Sequence, residues 1–514
     1  MDTLLVTTAI PFVNGAPHLG HALEYVQADV LARHARAHGG SVLLLTGTDE
    51  HAAKNARAAV AAHRPVEEFV AANATRFRRL ADELEVSYDD FIRTSADPRH
   101  RPVVEELWRR AEHRGDLYRS RYEGWYCPGC EEFRETPCPE HDTALEHIVE
   151  ENWFFRLARY VPEIRALIAD GRLRIEPPER RNEVLGFLAG EVRDLSVSRP
   201  RARVGEWGIP VPGDPDHLVY VWFDALANYV SAPGLARWSA ARSRRHVVGK
   251  GILRFHAVIW PAILLSAGVA LPDEILVHDY VTAGGRKIAK SLGNAVDPSA
   301  LVERYGADAL RWWLSREVPR VGETDFSEDR LVATANRDLA HGVGNLVQRV
   351  VALAARDDVQ GAIPADDAWP LLTACCRASA EVACALDALD LRRATEAILG
   401  LVADTNRYVE RTKPWALDAA EARPTVAALL HATSCVVEEL APYVPDLAAR
   451  ARARLDTLEP GPPLVARLAP KGASRPASGR RERVLGEPPG DDAQAEGLVR
   501  AFEDREHARV DEEA

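Results

Sequence analysis

The sequence predicts an α/β protein: a parallel-sheet core, interrupted by a cysteine-bearing insert and followed by an all-helical region. Three observations carry this. Thr3 to Thr8 is a short β-rich run, followed by a turn-rich loop and then a helix with apolar residues at Leu19, Leu23, Val26 and Val30. A second strand, Ser41 to Leu45, comes after Gly39 and Gly40 stop that helix. Beyond Asp325 almost every stretch has helical periodicity, with one clean stripe at Leu339, Val343, Leu346, Val350 and Leu353.

Strand, helix, strand is the unit of a parallel sheet, and ligands bind such sheets beyond the carboxyl ends of their strands. Two loops sit at such ends: Pro11 to Pro17, and Thr46-Gly47-Thr48-Asp49-Glu50-His51. Residues 117–211 break the rhythm with clustered cysteines and aromatics, and read as an insertion. The pattern returns with strands expected at Leu218 to Phe223, His246 to Val248 and Ile275 to Val281. The expected organisation is a first half of the core over 1–116, the insert over 117–211, and a second half over 212–283. A loop and contact region over 284–326, a helical domain over 327–457 and a disordered tail over 458–514 follow. With 514 residues, several domains are needed.

Composition is that of a globular protein, with 46% hydrophobic and 27% charged residues. No apolar run is long enough to span a bilayer, and Met1 to Ile10 lacks a basic leader and a cleavage site. The expectation is a cytoplasmic protein with no membrane attachment. The net charge of -13 has the wrong sign for a simple basic nucleic-acid-binding module. A large enzyme gripping RNA through local basic patches can still be acidic overall. The seven cysteines do not form a secreted disulfide pattern. Cys375, Cys376, Cys384 and Cys435 lie in helical sequence and read as small buried apolar residues.

Two clusters carry chemistry. His18-Leu19-Gly20-His21 opens a helix, where free N–H groups and the dipole attract phosphate. Two imidazoles there add donors, and Gly20 lets a flat base approach the backbone. Lys287-Ile288-Ala289-Lys290-Ser291 follows Gly284 and Gly285 in a loop after a strand, where two lysines can close over a pyrophosphate. Alone, the first cluster reads more readily as two surface histidines, and the second is a weak signal that a solvated basic turn would also give. A third set, Cys127-Pro-Gly-Cys130 with Cys138-Pro-Glu-His141, supplies three thiolates and an imidazole, enough for a closed tetrahedral Zn2+ site.

Together the first two clusters resemble the HIGH and KMSKS motifs of class I aminoacyl-tRNA synthetases. Residues Thr7 to Asp29, Thr46 to His51, Tyr220 to Tyr229, His246 to Ala262 and Val277 to Asp308 are similar to the methionyl-tRNA synthetase family, and the likeness runs from about Leu4 to Leu455. The resemblance implies a Rossmann-type catalytic domain, a zinc knuckle in the insert and a helical anticodon-binding domain. It implies a methionine–tRNA ligase that uses ATP with Mg2+ to make methionyl-adenylate and load it onto initiator and elongator methionine tRNA. A divergent copy serving a specialised pathway or resisting an inhibitor is the alternative, and a non-enzymatic tRNA-binding protein is a third.

The resemblance also implies roles. His18, His21, Lys287 and Lys290 handle phosphates, with Ser291 beside them, and Gly20 and Glu24 flank the adenosine. Asp49 holds the α-ammonium of L-methionine. Ile10, Phe12, Trp222, Ala225, Tyr229, Ile252, His256 and Trp260 surround its side chain, a set whose rings suit a thioether. Asn345, Arg349 and Trp415 read the anticodon, by base-edge hydrogen bonds and stacking. Several positions depart from the family: Ile288 and Ala289 replace Met and Ser, and Gly251 stands where Asp often binds the ribose. Phe12 stands where Tyr is common, Leu226 for Pro and Ala52 for Gly. The appended oligonucleotide-binding domain of some relatives is missing, so a monomer is expected.

Overall fold

The computed structural model describes residues 3–127, 132–134, 144–288, 296–357, 359 and 362–469, with residues 132–134 and 287 as backbone only. Its centre is a six-stranded parallel sheet. The strands run, in spatial order, Asp90–Arg93, Ser41–Thr48, Thr3–Thr8, Ser243–Gly249, Glu274–His278 and Arg174–Glu176. The chain order reverses at Thr3–Thr8, whose neighbours come from opposite halves of the core. A crevice opens there beyond the strand ends, as expected at a topological switch point.

The helix Leu19–Ala37 crosses from the first strand to the second. Leu19, Leu23, Val26 and Val30, picked out by spacing, are all fully buried. The helix ends where expected, with Gly39 in the left-handed region at φ +80°.

Two expected strands are redrawn. Leu218 to Phe223 is not one strand: Asp214–Val219 is a strand of a small antiparallel sheet, and Val221–Leu226 turns into a helix. A run of buried apolar residues does not distinguish strand from helix; here Tyr220, extended at φ -60°, ψ 133°, is the corner. Ile275 to Val281 divides into Glu274–His278 and Val281–Ala283, which join different sheets. The insert is also less separate than its composition implied. It contains a four-stranded antiparallel sheet, but Arg174–Glu176 supplies the edge strand of the central sheet.

The C-terminal region is helical: Asn345–Asp357, Trp369–Asp387, Leu391–Thr412, Ala419–Leu440 and Pro445–Thr457 pack together. The five stripe residues from Leu339 to Leu353 are buried. Fully buried Arg311 ties this region to the core. Its guanidinium pairs with Asp29 at 2.7 Å and donates to the carbonyls of Leu84, Pro442 and Tyr443.

The first part of the expected tail is packed. Asn336 exchanges two hydrogen bonds with the backbone of Leu468, at 2.8 and 2.9 Å, and Leu464 is buried. Residues 470–514, the rest of the expected tail, lie outside the described residues. Of the four late cysteines, Cys375 is buried and Cys435 is half-buried, but Cys376 and Cys384 are exposed. They sit on the outer face of Trp369–Asp387, where alanine-sized residues carry no burial signal. Among the described residues no helix is long and apolar enough to cross a membrane.

Candidate active site

A cavity of about 530 Å³ opens at the switch point. Of the residues expected there, Ile10, Phe12, His18, Gly20, His21, Glu24, Asp49, Trp222 and Ile252 line it. Ala225, Tyr229, His256 and Trp260 do not; they are buried and stand behind the wall. Ile288 lines the cavity as an apolar wedge.

His18 is the N-cap of Leu19–Ala37 and forms a reciprocal capping box with His21. The Gly20 amide donates to His18 Nδ1 at 3.1 Å, and the His18 amide donates to His21 Nδ1 at 3.0 Å. The rings stack at 3.8 Å. With both Nδ1 atoms accepting, the neutral rings carry their protons on Nε2, as donors at a helix N-terminus. Gly20 has a local reason as well: a Cβ there would meet the His18 ring at 3.0 Å.

The lysine-bearing loop starts as a tight hairpin. Gly284 and Gly285 both have positive φ, 63° and 69°, as a two-residue primed turn requires. Asp325 pins this turn by accepting from Gly285 N at 2.7 Å and Thr282 Oγ1 at 2.9 Å. The Lys287 side chain, Ala289, Lys290 and Ser291 lie outside the described residues.

Trp222 forms one wall. It stacks on Phe255 at 3.7 Å and 10°, and meets Phe12 edge-on at 6.0 Å. Its helix is held by Asp224, a buried carboxylate between His51 Nδ1 at 2.7 Å and His100 Nε2 at 2.6 Å. Burial opposes ionisation of Asp224, but the two histidines prevail and hold its carboxyl well below the usual range.

Behind the wall, His256 lies in a π-helical turn, Phe255–Ile259, of the kind that often marks functional sites. Its Nδ1 faces the Ile252 carbonyl at 2.9 Å and its Nε2 faces the Tyr229 hydroxyl at 2.7 Å. A carbonyl only accepts, so Nδ1 bears the proton and Nε2 accepts from Tyr229. Burial pushes the His256 pKa down to about 4, so the imidazole is neutral at pH 7. The aromatic wall therefore has an uncharged backing.

Sequence reasoning missed Phe77, Phe255, His278 and Tyr280. His278 Nε2 lies 3.1 Å from a Glu24 oxygen, so the carboxylate expected at the adenosine is held in place. Tyr280 bears on Gly251: a Cβ at 251 would collide with the Tyr280 hydroxyl, so the ring fills the space a side chain there would take. These four had no motif or periodicity to reveal them.

Cys127 is buried at the end of the strand Leu117–Cys127. Its expected partners Cys130, Cys138 and His141 lie outside the described residues. The donor set, three thiols and an imidazole, suits Zn2+.

Asn345 and Arg349 are exposed on Asn345–Asp357, which follows a second π-helical segment, Ala335–Gly344. Arg349 pairs with Glu410 at 2.9 Å. Trp415 is 48% exposed in a short turn whose Pro414 and Trp415 carbonyls accept from Arg356. An exposed indole on a polar turn is not core packing.

The family described as "tRNA synthetases class I (M)" matches residues 4–144 and 136–351. A methionine–tRNA ligase from Synechocystis sp. is 38% identical over 479 residues, covering 88% of this chain and 89% of its own. One from Mycobacterium tuberculosis is 40% identical over 442 residues, covering 82% and 84%. The solved structure of Mycobacterium tuberculosis methionyl-tRNA synthetase in complex with methionyl-adenylate superposes with a TM-score of 0.83 at 36% identity. That match covers 92% of this chain and 99% of the other.

Proposed function

The chain belongs to the class I tRNA synthetases of the methionine type, and on that premise we infer that it activates L-methionine with ATP and charges tRNA. The observation that carries this is the likeness to an adenylate-bound structure over nearly the whole chain, with a cavity at the switch point ringed by paired histidines and an aromatic wall.

In the first step a methionine carboxylate oxygen attacks the α-phosphorus of ATP in line. The bond to the β-phosphate oxygen breaks and pyrophosphate leaves. In the second, a 3′-terminal ribose hydroxyl of tRNA attacks the adenylate carbonyl and AMP leaves. No side-chain nucleophile is needed; placement and electrostatics supply the rate.

His18 and His21 present Nε2–H donors to phosphate oxygens at a helix N-terminus, with Gly20 and Glu24 beside the adenosine. Lys287 and Lys290 neutralise charge as pyrophosphate departs, with the Ser291 hydroxyl beside them, and Mg2+ accompanies ATP. Asp49 receives the α-ammonium. Ile10, Phe12, Trp222 and Ile252 contact the thioether side chain, while Ala225, Tyr229, His256 and Trp260 shape the wall from behind. Sulfur packs favourably against ring edges, and the neutral His256 leaves no buried charge to oppose it.

Cys127, Cys130, Cys138 and His141 hold a structural zinc. Asn345, Arg349 and Trp415 read the anticodon of initiator and elongator methionine tRNA.

Charging assays test this reading. Methionine should be transferred to methionine tRNA and not to isoleucine tRNA. Equal charging of both, or of neither in a protein that forms methionyl-adenylate, would contradict it.

A further inference from the structure

The helical region brings together three metal-ligating groups that neither the adenylation chemistry nor the Cys127 set uses. Cys375 lies on Trp369–Asp387, and His431 and Cys435 lie one turn apart on Ala419–Leu440. Their ligand atoms all fall within 4.8 Å of one another. Cys435 Sγ is 3.8 Å from His431 Nε2, and the Cys375 thiol donates to the Leu371 carbonyl at 3.4 Å.

We propose that Cys375, His431 and Cys435 form a second zinc site, bridging these two helices at the surface of the bundle. Tetrahedral zinc with Zn–S of about 2.3 Å and Zn–N of about 2.0 Å sets its ligands roughly 3.5–3.8 Å apart. The observed 3.8 Å contact needs little adjustment. Two ligands at i and i+4 share one helix face, a spacing that recurs in zinc sites on helices.

Burial is graded: Cys375 is buried, Cys435 half-buried and His431 exposed. The metal therefore has an open side, and water or an added ligand completes its fourth position. Binding releases the two thiol protons to solvent and leaves the imidazole neutral. Borderline-soft sulfur and nitrogen donors select Zn2+ over Mg2+ or Ca2+.

The test uses the full chain, stripped with a chelator, reduced, and titrated with Zn2+ alone. Cys435→Ser and His431→Ala are compared with the wild type, and Cys127 is left intact in all three. The wild type should bind one more equivalent than Cys435→Ser. His431→Ala, which keeps both thiols, should bind that equivalent about tenfold or more weakly. Cobalt substitution should add thiolate charge-transfer absorption that Cys435→Ser loses. Folding is checked by ATP–pyrophosphate exchange, which all three should retain. Equal zinc content in all three, with Cys375 and Cys435 alkylated as fast with zinc as without it, would overturn the proposal. So would a Cys375–Cys435 disulfide that forms equally fast in the presence of zinc.

Discussion

The Tyr229 hydroxyl donates to His256 Nε2 at 2.7 Å, behind the aromatic wall of the cavity. This bond, with the Ile252 carbonyl on Nδ1, fixes one neutral tautomer. Tyr229→Phe removes the donor and leaves Nε2 buried without it, a loss of about 1–3 kcal/mol. The expected outcome is a raised KM for methionine, with the KM for ATP nearly unchanged.

The same histidine predicts a pH dependence. Its folded pKa is about 4, below the ordinary value of 6.5, and burial pushes His246 down as well. The unfolded chain therefore binds protons between pH 6.5 and 4 that the folded chain does not. Stability should be flat above pH 6.5 and should fall as pH drops towards 4, by on the order of 3 kcal/mol from His256 alone. Thermal midpoints across that range check this, and a protein equally stable at pH 4.5 and 7 would contradict it.

Asp29 and Arg311 predict how firmly the helical region is joined to the core. Both are fully buried; burial disfavours the Asp29 carboxylate, but Arg311 and its neighbours still hold its pKa down. Asp29→Ala strands a buried guanidinium, at a cost of about 3–5 kcal/mol. A clear drop in the first unfolding midpoint is expected. Replacing both residues by apolar ones should not recover the loss, because the carbonyls of Leu84, Pro442 and Tyr443 would then lose their donor.

Gly251 and Tyr280 line the same cavity. Gly251→Asp should not improve ATP binding, because the new side chain meets the Tyr280 hydroxyl. Overpacking of about 1–3 kcal/mol should raise the KM for ATP roughly tenfold. Tyr280→Phe in the same chain should relieve part of it. An unchanged KM in the single variant would show that the ring swings aside freely.

Trp415 is 48% exposed on the helical region, away from the cavity lining. Trp415→Ala should weaken tRNA charging by about 1–3 kcal/mol while leaving ATP–pyrophosphate exchange nearly intact. Lys290→Ala should cripple exchange itself. Equal loss of both reactions in a folded Trp415→Ala protein would make Trp415 a structural residue.

What the sequence made legible follows physical lines. Helices with strong periodicity, such as Leu19–Ala37, were readable because burial repeats along one face. The switch-point loops were readable because strand ends and motifs coincide. Val221–Leu226 was misread because its buried face is continuous, and only tertiary packing on Phe255 and Phe12 decides its shape. Tyr280 and His278 were invisible because their partners, Gly251 and Glu24, lie far away in sequence. The π-helical turns at His256 and before Asn345 leave no compositional mark.

The cavity is expected to select methionine for adenylation. ATP–pyrophosphate exchange driven by each of the twenty amino acids tests it most directly. Methionine should give the highest kcat/KM. Close apolar analogues should trail by roughly 10–200-fold per missing methylene, as hydrophobic pockets discriminate. Faster exchange with any other natural amino acid would contradict the account.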